Sequence, residues 1–209
     1  MTTTTRPQHL LRFDRTDLSA SYVLIGLIAL GTTLATVVWP LVDWLRGTPL
    51  SWLVSTTADV DAGPGLGVTV GTAARWSGDV VVTLADASAT ARVVTLVPGL
   101  ILCLAVVLVA VQLVPLLRSI ESGEPFVAAS VRRLRVIALI VMITPALLLV
   151  AHALAGVVVS TEALTGAPFA LDLTFSGVFV GLAAGLMIAA IAQAFTRGAQ
   201  LRADTDGLV

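Results

Sequence analysis

The chain has 209 residues, of which 57% are hydrophobic and 12% charged, and its mean hydropathy is +0.99. An average domain is about 25% charged, so a water-soluble globule of this composition would expose large apolar patches, and the composition predicts a lipid bilayer as solvent. The net charge of -1 argues against direct nucleic-acid binding, which needs clustered positive charge. One cysteine and two histidines exclude an internal disulfide and a standard zinc site, and we expect no cofactor.

Four unbroken apolar segments are each long enough to cross about 30 Å of hydrocarbon. After a polar segment, residues 1–19, they cover residues 20–42, 93–117, 136–156 and 174–195. The second segment is rich in Val, Leu and Ile, each of which contributes roughly -0.3 to -0.6 kcal/mol to membrane insertion. The predicted fold class is all-α transmembrane: a four-helix membrane bundle with a small β-rich extracytoplasmic loop between helices 1 and 2.

The distribution of arginine predicts the orientation, because basic residues near the ends of spans resist translocation. Most arginines precede the first segment, separate the second from the third, or follow the fourth. Three lie in residues 43–92, and none lies in the short outer loop, residues 157–173. We therefore expect a multi-pass protein of the bacterial plasma membrane with both termini cytoplasmic. A cleaved signal peptide is the competing interpretation, which we disfavour because the first apolar segment exceeds an h-region of about 7 to 15 residues.

The predicted outer loop, residues 43–92, is rich in Gly, Thr, Asp and Val. Within it, Leu66–Val70 and Asp79–Leu84 favour extended structure, and Ser77-Gly78-Asp79 is a turn signal between them. Three indoles bracket the outer end of the first span, as is typical of an interfacial aromatic belt: Trp39, Trp44 and Trp52. We prefer this anchoring role to ligand stacking.

The cytoplasmic connection, residues 118–135, has an amphipathic, arginine-rich pattern. Pro125 suits the first position of a helix, and Glu124 is favourable near its positive end. Because the following apolar residues share one helical face, we expect the segment to lie along the headgroups before residue 136. This arrangement fixes topology and contacts anionic lipid, and docking of a cytoplasmic protein is the alternative. The residues assigned to either contact are Glu124, Pro125, Phe126, Arg132, Arg133, Arg135, Arg197 and Gly198.

Small residues recur at intervals of four in the fourth span, at Gly177, Gly181 and Gly185. Such a stripe allows the backbone of a neighbouring helix to approach closely. A partner span in the same chain is favoured over a homo-oligomer seam, and both interpretations stay open. In the third span, Pro145 frees the carbonyl of Val141 and predicts a kink.

Catalytic groups are sparse in the apolar segments, which contain no Asp, Glu or Arg at depth. This pattern argues against a carboxylate proton relay and against aspartyl or zinc membrane proteases. His152 and Ser176 share the outer leaflet, which makes a Ser-His dyad conceivable. However, Thr174 stands where a Gly-x-Ser-Gly motif needs glycine, no oxyanion donor is evident, and a neutral histidine bonded to a carbonyl explains His152 equally well. We therefore expect a protein that is not an enzyme.

Two cytoplasmic motifs carry a family resemblance. The first is Ser122-Gly123-Glu124-Pro125-Phe126, followed by Val131-Arg132-Arg133-Leu134-Arg135. The second joins residues 194–201, AFTRGAQL, to the acidic, apolar-terminated tail of residues 204–209, DTDGLV, within a cytoplasmic tail of residues 196–209. Both are similar to a family of bacterial integral membrane proteins, the domain of unknown function 2975, whose members often have Glu-Asn at the positions of Ala129-Ser130. The resemblance implies a four-helix membrane protein with no established activity and, from relatives encoded beside a small helix-turn-helix regulator, a regulatory partnership.

Three functions are consistent with these patterns. The preferred function is signalling or interaction, with the outer loop as the sensing face and the arginine-rich connection plus tail as the inner face. The alternative is a transport, efflux or immunity accessory, and the least favoured is an intramembrane Ser-His hydrolase. The expected partners are the lipid bilayer, a cytoplasmic regulator and, if the glycine stripe faces outward, a second copy of the chain.

Overall fold

The computed structural model describes residues 15–59, 75–122, 128–163 and 175–206. The first span consists of helix α1, a π-helical turn and helix α2. A two-stranded sheet follows it in the chain. The second, third and fourth spans are helices α3, α4 and α5. In chain order the bounds are α1 Arg15–Thr33, the π turn Leu34–Val38, α2 Trp39–Leu45, β1 Leu50–Asp59, β2 Arg75–Leu84, α3 Ala89–Glu121, α4 Ala128–Ala163 and α5 Ser176–Asp206.

Four helical stretches are long and apolar enough to cross a membrane: Ser19–Leu45, Ala89–Glu121, Ala128–Glu162 and Ser176–Gly198. Their outward faces carry large exposed hydrophobic side chains, among them Leu186 and Met187. Such faces would associate in water, whereas in a bilayer they contact lipid chains of matching polarity. The predicted fold class is confirmed, and the protein is a multi-pass membrane protein.

Neighbouring spans run antiparallel and pack in the order in which they occur along the chain. The first span meets α3, α3 meets α4, and α4 meets α5 most extensively. Within the described residues, α5 packs mainly on α4 and not on the first span, so the first and fourth spans flank the bundle. The fully buried positions of the bundle include small side chains such as Ala155 and Ala192. Small residues allow helix backbones to approach closely, which matters in a membrane because no hydrophobic driving force holds the helices together there.

The connection between the second and third spans differs from the prediction. Helix α3 continues to Glu121, and α4 is already helical from Ala128, so the three arginines between residues 132 and 135 belong to the first turns of the third span. The expected turn from this segment into the third span does not occur, because α4 is continuous through residue 136. Neither glycine nor proline occurs between residues 128 and 144, so nothing in the sequence ends the helix there. The predicted helix start at Glu124 and Pro125 lies outside the described residues.

The segment between the first and second spans contains an antiparallel pair of strands, in which Leu50 lies opposite Leu84 and Asp59 lies opposite Arg75. The segment Asp79–Leu84 is a strand as predicted, whereas its partner is β1, which the sequence analysis missed; Leu66–Val70 lies outside the described residues. The predicted turn at residues 77–79 is wrong, because Gly78 pairs with Thr56 inside the ladder. A glycine weakens a strand without ending it, and ten consecutive pairs outweigh a local turn signal.

Candidate functional site

The C-terminal end of the first span, the N-terminal end of the second span and the start of β1 line a pocket of about 280 Å³. Trp44 from α2, Trp52 from β1 and Arg92 from α3 are among the residues that line it. The Arg92 guanidinium donates a hydrogen bond of 3.0 Å to the carbonyl of Thr48, which connects the residues just before β1 to the second span. Two of the three predicted belt indoles thus line this pocket, whereas Trp39 is 68% exposed.

The sheet also contacts the third span through a pair of rings. The Trp52 indole stacks on the His152 imidazole with 5.9 Å between ring centroids and 30° between planes. His152 Nδ1 lies 2.8 Å from the carbonyl oxygen of Leu148, one turn earlier in α4. Ser176 is exposed at the start of α5. The described partners of His152 are therefore an indole and a backbone carbonyl rather than the Ser176 hydroxyl that a dyad requires.

A carboxylate joins the N-terminal end of the second span to the C-terminal end of the third span. Ser88 is the N-cap of α3, and its hydroxyl accepts a 3.1 Å hydrogen bond from the backbone N–H of Ala91. The same hydroxyl donates to one carboxylate oxygen of Glu162, and the Ser88 backbone N–H donates to the other at 3.3 Å. An acidic group at the positive end of a helix is favourable. The sequence analysis missed this contact, for which Glu162 at the end of an apolar segment was the available signal.

Polar contacts also join the C-terminal end of α3 to the N-terminal end of α4. The Ser119 and Ser130 hydroxyls lie 2.9 Å apart, and Ser130 is fully buried. One turn along α4, the Arg133 guanidinium donates to the carbonyl of Pro115 at 3.5 Å. These contacts fix the register of the two helices where the connecting segment is short.

The residues predicted for partner or lipid contact fall into two groups. Arg132 and Arg135 are exposed on α4, Arg197 is exposed on α5, and Gly198 is half-buried there, whereas Arg133 is half-buried. Glu124, Pro125 and Phe126 lie outside the described residues. The structure thus presents three described guanidinium groups outward and turns Arg133 toward α3.

The glycine stripe packs inside the chain at two of its three positions. A Cβ atom built on Gly181 would overlap the Pro145 ring and lie 3.1 Å from the Val141 carbonyl oxygen. A Cβ atom built on Gly185 would lie 2.9 Å from the carbonyl oxygen of Ala138. One built on Gly177 meets nothing within 4 Å. Gly181 therefore faces the carbonyl that Pro145 leaves without its helical donor.

A second close approach, between the first and second spans, was not predicted. A Cβ atom on Gly99 would overlap the Thr36 carbonyl, and the Thr36 hydroxyl donates to the carbonyl of Gly99 at 3.3 Å. One turn away, the Thr33 hydroxyl and the Cys103 thiol lie 3.2 Å apart. Thr36 lies in the π-helical turn, a local rearrangement that is frequent at functional sites. The available signal was the Thr-rich segment of the first span opposite Pro98-Gly99.

A larger cavity, of about 480 Å³, lies at mid-membrane and is lined by residues of all four spans. Its volume falls in the range of roughly 300–1,000 Å³ that is typical of ligand pockets. Ile28 of α1 and Val180 of α5 are 51% and 69% exposed while lining it, so the cavity opens between the first and fourth spans. Among the described residues, no group of three or more His, Cys, Asp or Glu side chains is arranged to hold a metal ion.

A family model described as "Protein of unknown function (DUF2975)" matches residues 78–209. The chain belongs to this family. The match spans the end of the sheet and all of α3, α4 and α5, and it confirms the resemblance inferred from the two cytoplasmic motifs. No curated protein and no solved structure matches the chain.

The DUF2975 match divides the candidate sites. The Ser119–Ser130 contact, the Gly181–Pro145 approach and the Glu162 cap of α3 all lie within the matched residues. The first span and β1 lie outside them. The walls of the mid-membrane cavity that α3, α4 and α5 form therefore lie within the matched residues, whereas the wall formed by α1 does not.

Proposed function

We propose that this DUF2975 protein is a non-enzymatic signalling protein that relays the state of its outer sheet, through the third span, to a cytoplasmic protein partner. The proposal places it in a bacterial plasma membrane with both termini in the cytoplasm. The antiparallel order of the spans supports this orientation, since Arg118, Arg132, Arg135 and Arg197 lie at one end of the bundle and Arg92 at the other.

The contact between Trp52 and His152 is the observation that carries the proposal. Trp52 belongs to the sheet, and His152 belongs to a helix that continues without interruption to the arginines at its cytoplasmic end. The twenty residues from His152 to Arg132 correspond to about 30 Å of helix. A displacement of the sheet would therefore act on the C-terminal half of a helix whose N-terminal end presents charge to the cytoplasm, which is a shift of the kind used in known switches.

The exposed guanidinium groups of Arg132 and Arg135 suit a partner with an acidic docking surface. A helix-turn-helix regulator is the partner that the family resemblance implies. The described contacts of His152 support the non-enzymatic part of the proposal, because its imidazole is engaged with Trp52 and Leu148.

Two experiments test the proposal. A cytoplasmic protein should co-purify with the full chain from native membranes, should be lost from the Arg132→Glu/Arg135→Glu variant and should be retained by Arg46→Glu at the opposite end. Trp52→Ala should accelerate hydrogen exchange in residues 128–135, whereas Trp39→Ala, which removes an exposed indole outside the stack, should not. Equal exchange in the two tryptophan variants would contradict the relay.

Topology and the alternative function are tested separately. Reporters fused at Gly78 and at Val209 should report opposite compartments, and the same compartment for both would overturn the orientation. A deletion strain whose tolerance of membrane-active compounds changes while no protein partner is recovered would instead favour the transport or efflux accessory.

A further inference from the structure

The mid-membrane cavity has the chemistry of a site for hydrocarbon. Among the residues that line it, only Thr144 has a polar side-chain atom, and its hydroxyl already donates to the Ile140 carbonyl at 2.7 Å. A molecule in this cavity finds no free donor side chain there, and the Thr144 hydroxyl oxygen is the one side-chain acceptor among the lining residues. The part that enters is therefore apolar, because a polar group would lose its hydrogen bonds to water without compensation.

The dimensions of the cavity match one leaflet of a bilayer. The wall formed by α3 extends from Leu102 to Leu113, which is about 16 Å along the helix axis. Half of a hydrocarbon core of about 30 Å is about 15 Å. Because the cavity opens between Ile28 and Val180 on the flanking spans, an acyl chain can enter it sideways from the membrane.

A cationic side chain lies at the cytoplasmic end of this cavity. Arg133 precedes the lining residue Ile140 by seven residues, so the two share a face of α4 and are separated by about 10 Å. Its guanidinium contacts the carbonyl of Pro115, two residues beyond Leu113 in α3. Arg132 is exposed on a different face. Arg133 therefore lies beyond one end of the cavity, on the helix face that lines it, and its neighbour Arg132 provides a control.

A polar group without a partner lies at the same end. The hydroxyl oxygen of Tyr22 is buried and has no hydrogen-bond partner within the described part of the chain. Tyr22 is one helical turn from Ile25, which lines the cavity. Since α1 and α4 run parallel, Tyr22 and Arg133 both lie toward the cytoplasmic ends of their helices. A buried phenol is costly to leave unpaired, and a lipid ester or phosphate oxygen would supply the acceptor.

We propose that the cavity binds one acyl chain of an anionic phospholipid from the leaflet at the arginine-bearing end, with the headgroup held by Arg133 and Tyr22. Four features favour this occupant. The lining is hydrocarbon, the length matches one leaflet, the opening is lateral, and two polar groups lie toward one end. The proposal does not depend on the signalling role, since a bound lipid would be present with or without a protein partner.

Native mass spectrometry of the detergent-purified chain, titrated with dioleoylphosphatidylglycerol or dioleoylphosphatidylcholine, tests the site. The wild-type protein should retain one phosphatidylglycerol in preference to phosphatidylcholine. Ala184→Phe, which fills the cavity, should weaken this binding at least about tenfold, whereas Ala183→Phe on the exposed face should not. If Ala184→Phe does not fold, Ala110→Leu on the α3 wall replaces it.

The headgroup contact is tested by a second pair of variants. Arg133→Gln should reduce the preference for phosphatidylglycerol about fivefold, and Arg132→Gln should leave it unchanged. Tyr22→Phe should weaken binding of both lipids, because both contain the ester and phosphate oxygens to which the hydroxyl would donate. Equal binding by Ala184→Phe and Ala183→Phe, or equal losses in the two arginine variants, would overturn the proposal. A wild-type dimer that Ala184→Phe dissociates would show that a second copy, rather than a lipid, occupies the cavity.

Discussion

Substitution of Gly181 by alanine tests the packing of the third and fourth spans. The added methyl group would overlap the Pro145 ring and approach the Val141 carbonyl oxygen to 3.1 Å. Both neighbours are rigid, because one is a ring and the other is backbone, so the helices must separate slightly. Overpacking of this kind costs about 1–3 kcal/mol, whereas replacing a helical glycine by alanine contributes about 0.5–1 kcal/mol in the opposite direction.

Gly177→Ala is the matched control, because its methyl group meets nothing within 4 Å and retains only the favourable helix propensity. The difference between the two variants therefore isolates the packing cost of about 1–3 kcal/mol. At roughly 2–4 °C per kcal/mol for a chain of this size, Gly181→Ala should unfold several degrees below Gly177→Ala.

Thermal unfolding in detergent, followed by circular dichroism, measures this difference. Oligomer size should be the same for both variants, because Gly181 packs within the chain. An unfolding temperature of Gly181→Ala equal to or above that of Gly177→Ala would refute the contact with Pro145. Conversion of a dimer to a monomer would show that the stripe is instead an interface between copies.

Three further contacts give measurable predictions in the same assay. Glu162→Ala removes the carboxylate that caps α3 and should destabilise the protein by about 1 kcal/mol, whereas Glu121→Ala at the exposed end of α3 should have little effect. Ser130→Ala removes a fully buried hydroxyl together with its hydrogen bond to Ser119 and should cost about 1 kcal/mol; the exposed Ser122→Ala should not, and equal effects would argue against a buried contact. Gly99→Val forces the first and second spans apart and should cost about 1–3 kcal/mol; unchanged stability would show that the two backbones do not meet there.

Sequence patterns predicted the features that depend on composition alone. The four apolar segments without deep charges predicted membrane-spanning helices, because a helix satisfies all of its backbone hydrogen bonds internally in hydrocarbon. The family followed from two short motifs at the ends of the spans. The ends of the helices were harder to predict from the sequence, because the arginines between residues 132 and 135 are as compatible with a surface segment as with the first turns of α4.

The sheet shows why local signals were insufficient. Ser77-Gly78-Asp79 has turn chemistry, yet the register places Gly78 opposite Thr56 within ten consecutive pairs. Strand pairing is a relation between distant segments, and no window around Gly78 contains information about β1. The same reasoning applies to Glu162, whose partner Ser88 is 74 residues away.

Composition by itself determined that the chain is a multi-pass membrane protein with four apolar segments long enough to span, because hydrocarbon selects long apolar helices whatever their neighbours. Which helix faces are in contact was decided only by the tertiary structure. Gly181 and Gly177 belong to one stripe, yet one meets Pro145 and the other meets open space. The physical reason is that lipid and protein interiors are similarly apolar, so hydrophobicity does not distinguish a packed helix face from a lipid-facing one. The partner helix is selected instead by the close fit of small residues, freed carbonyls and buried hydroxyls.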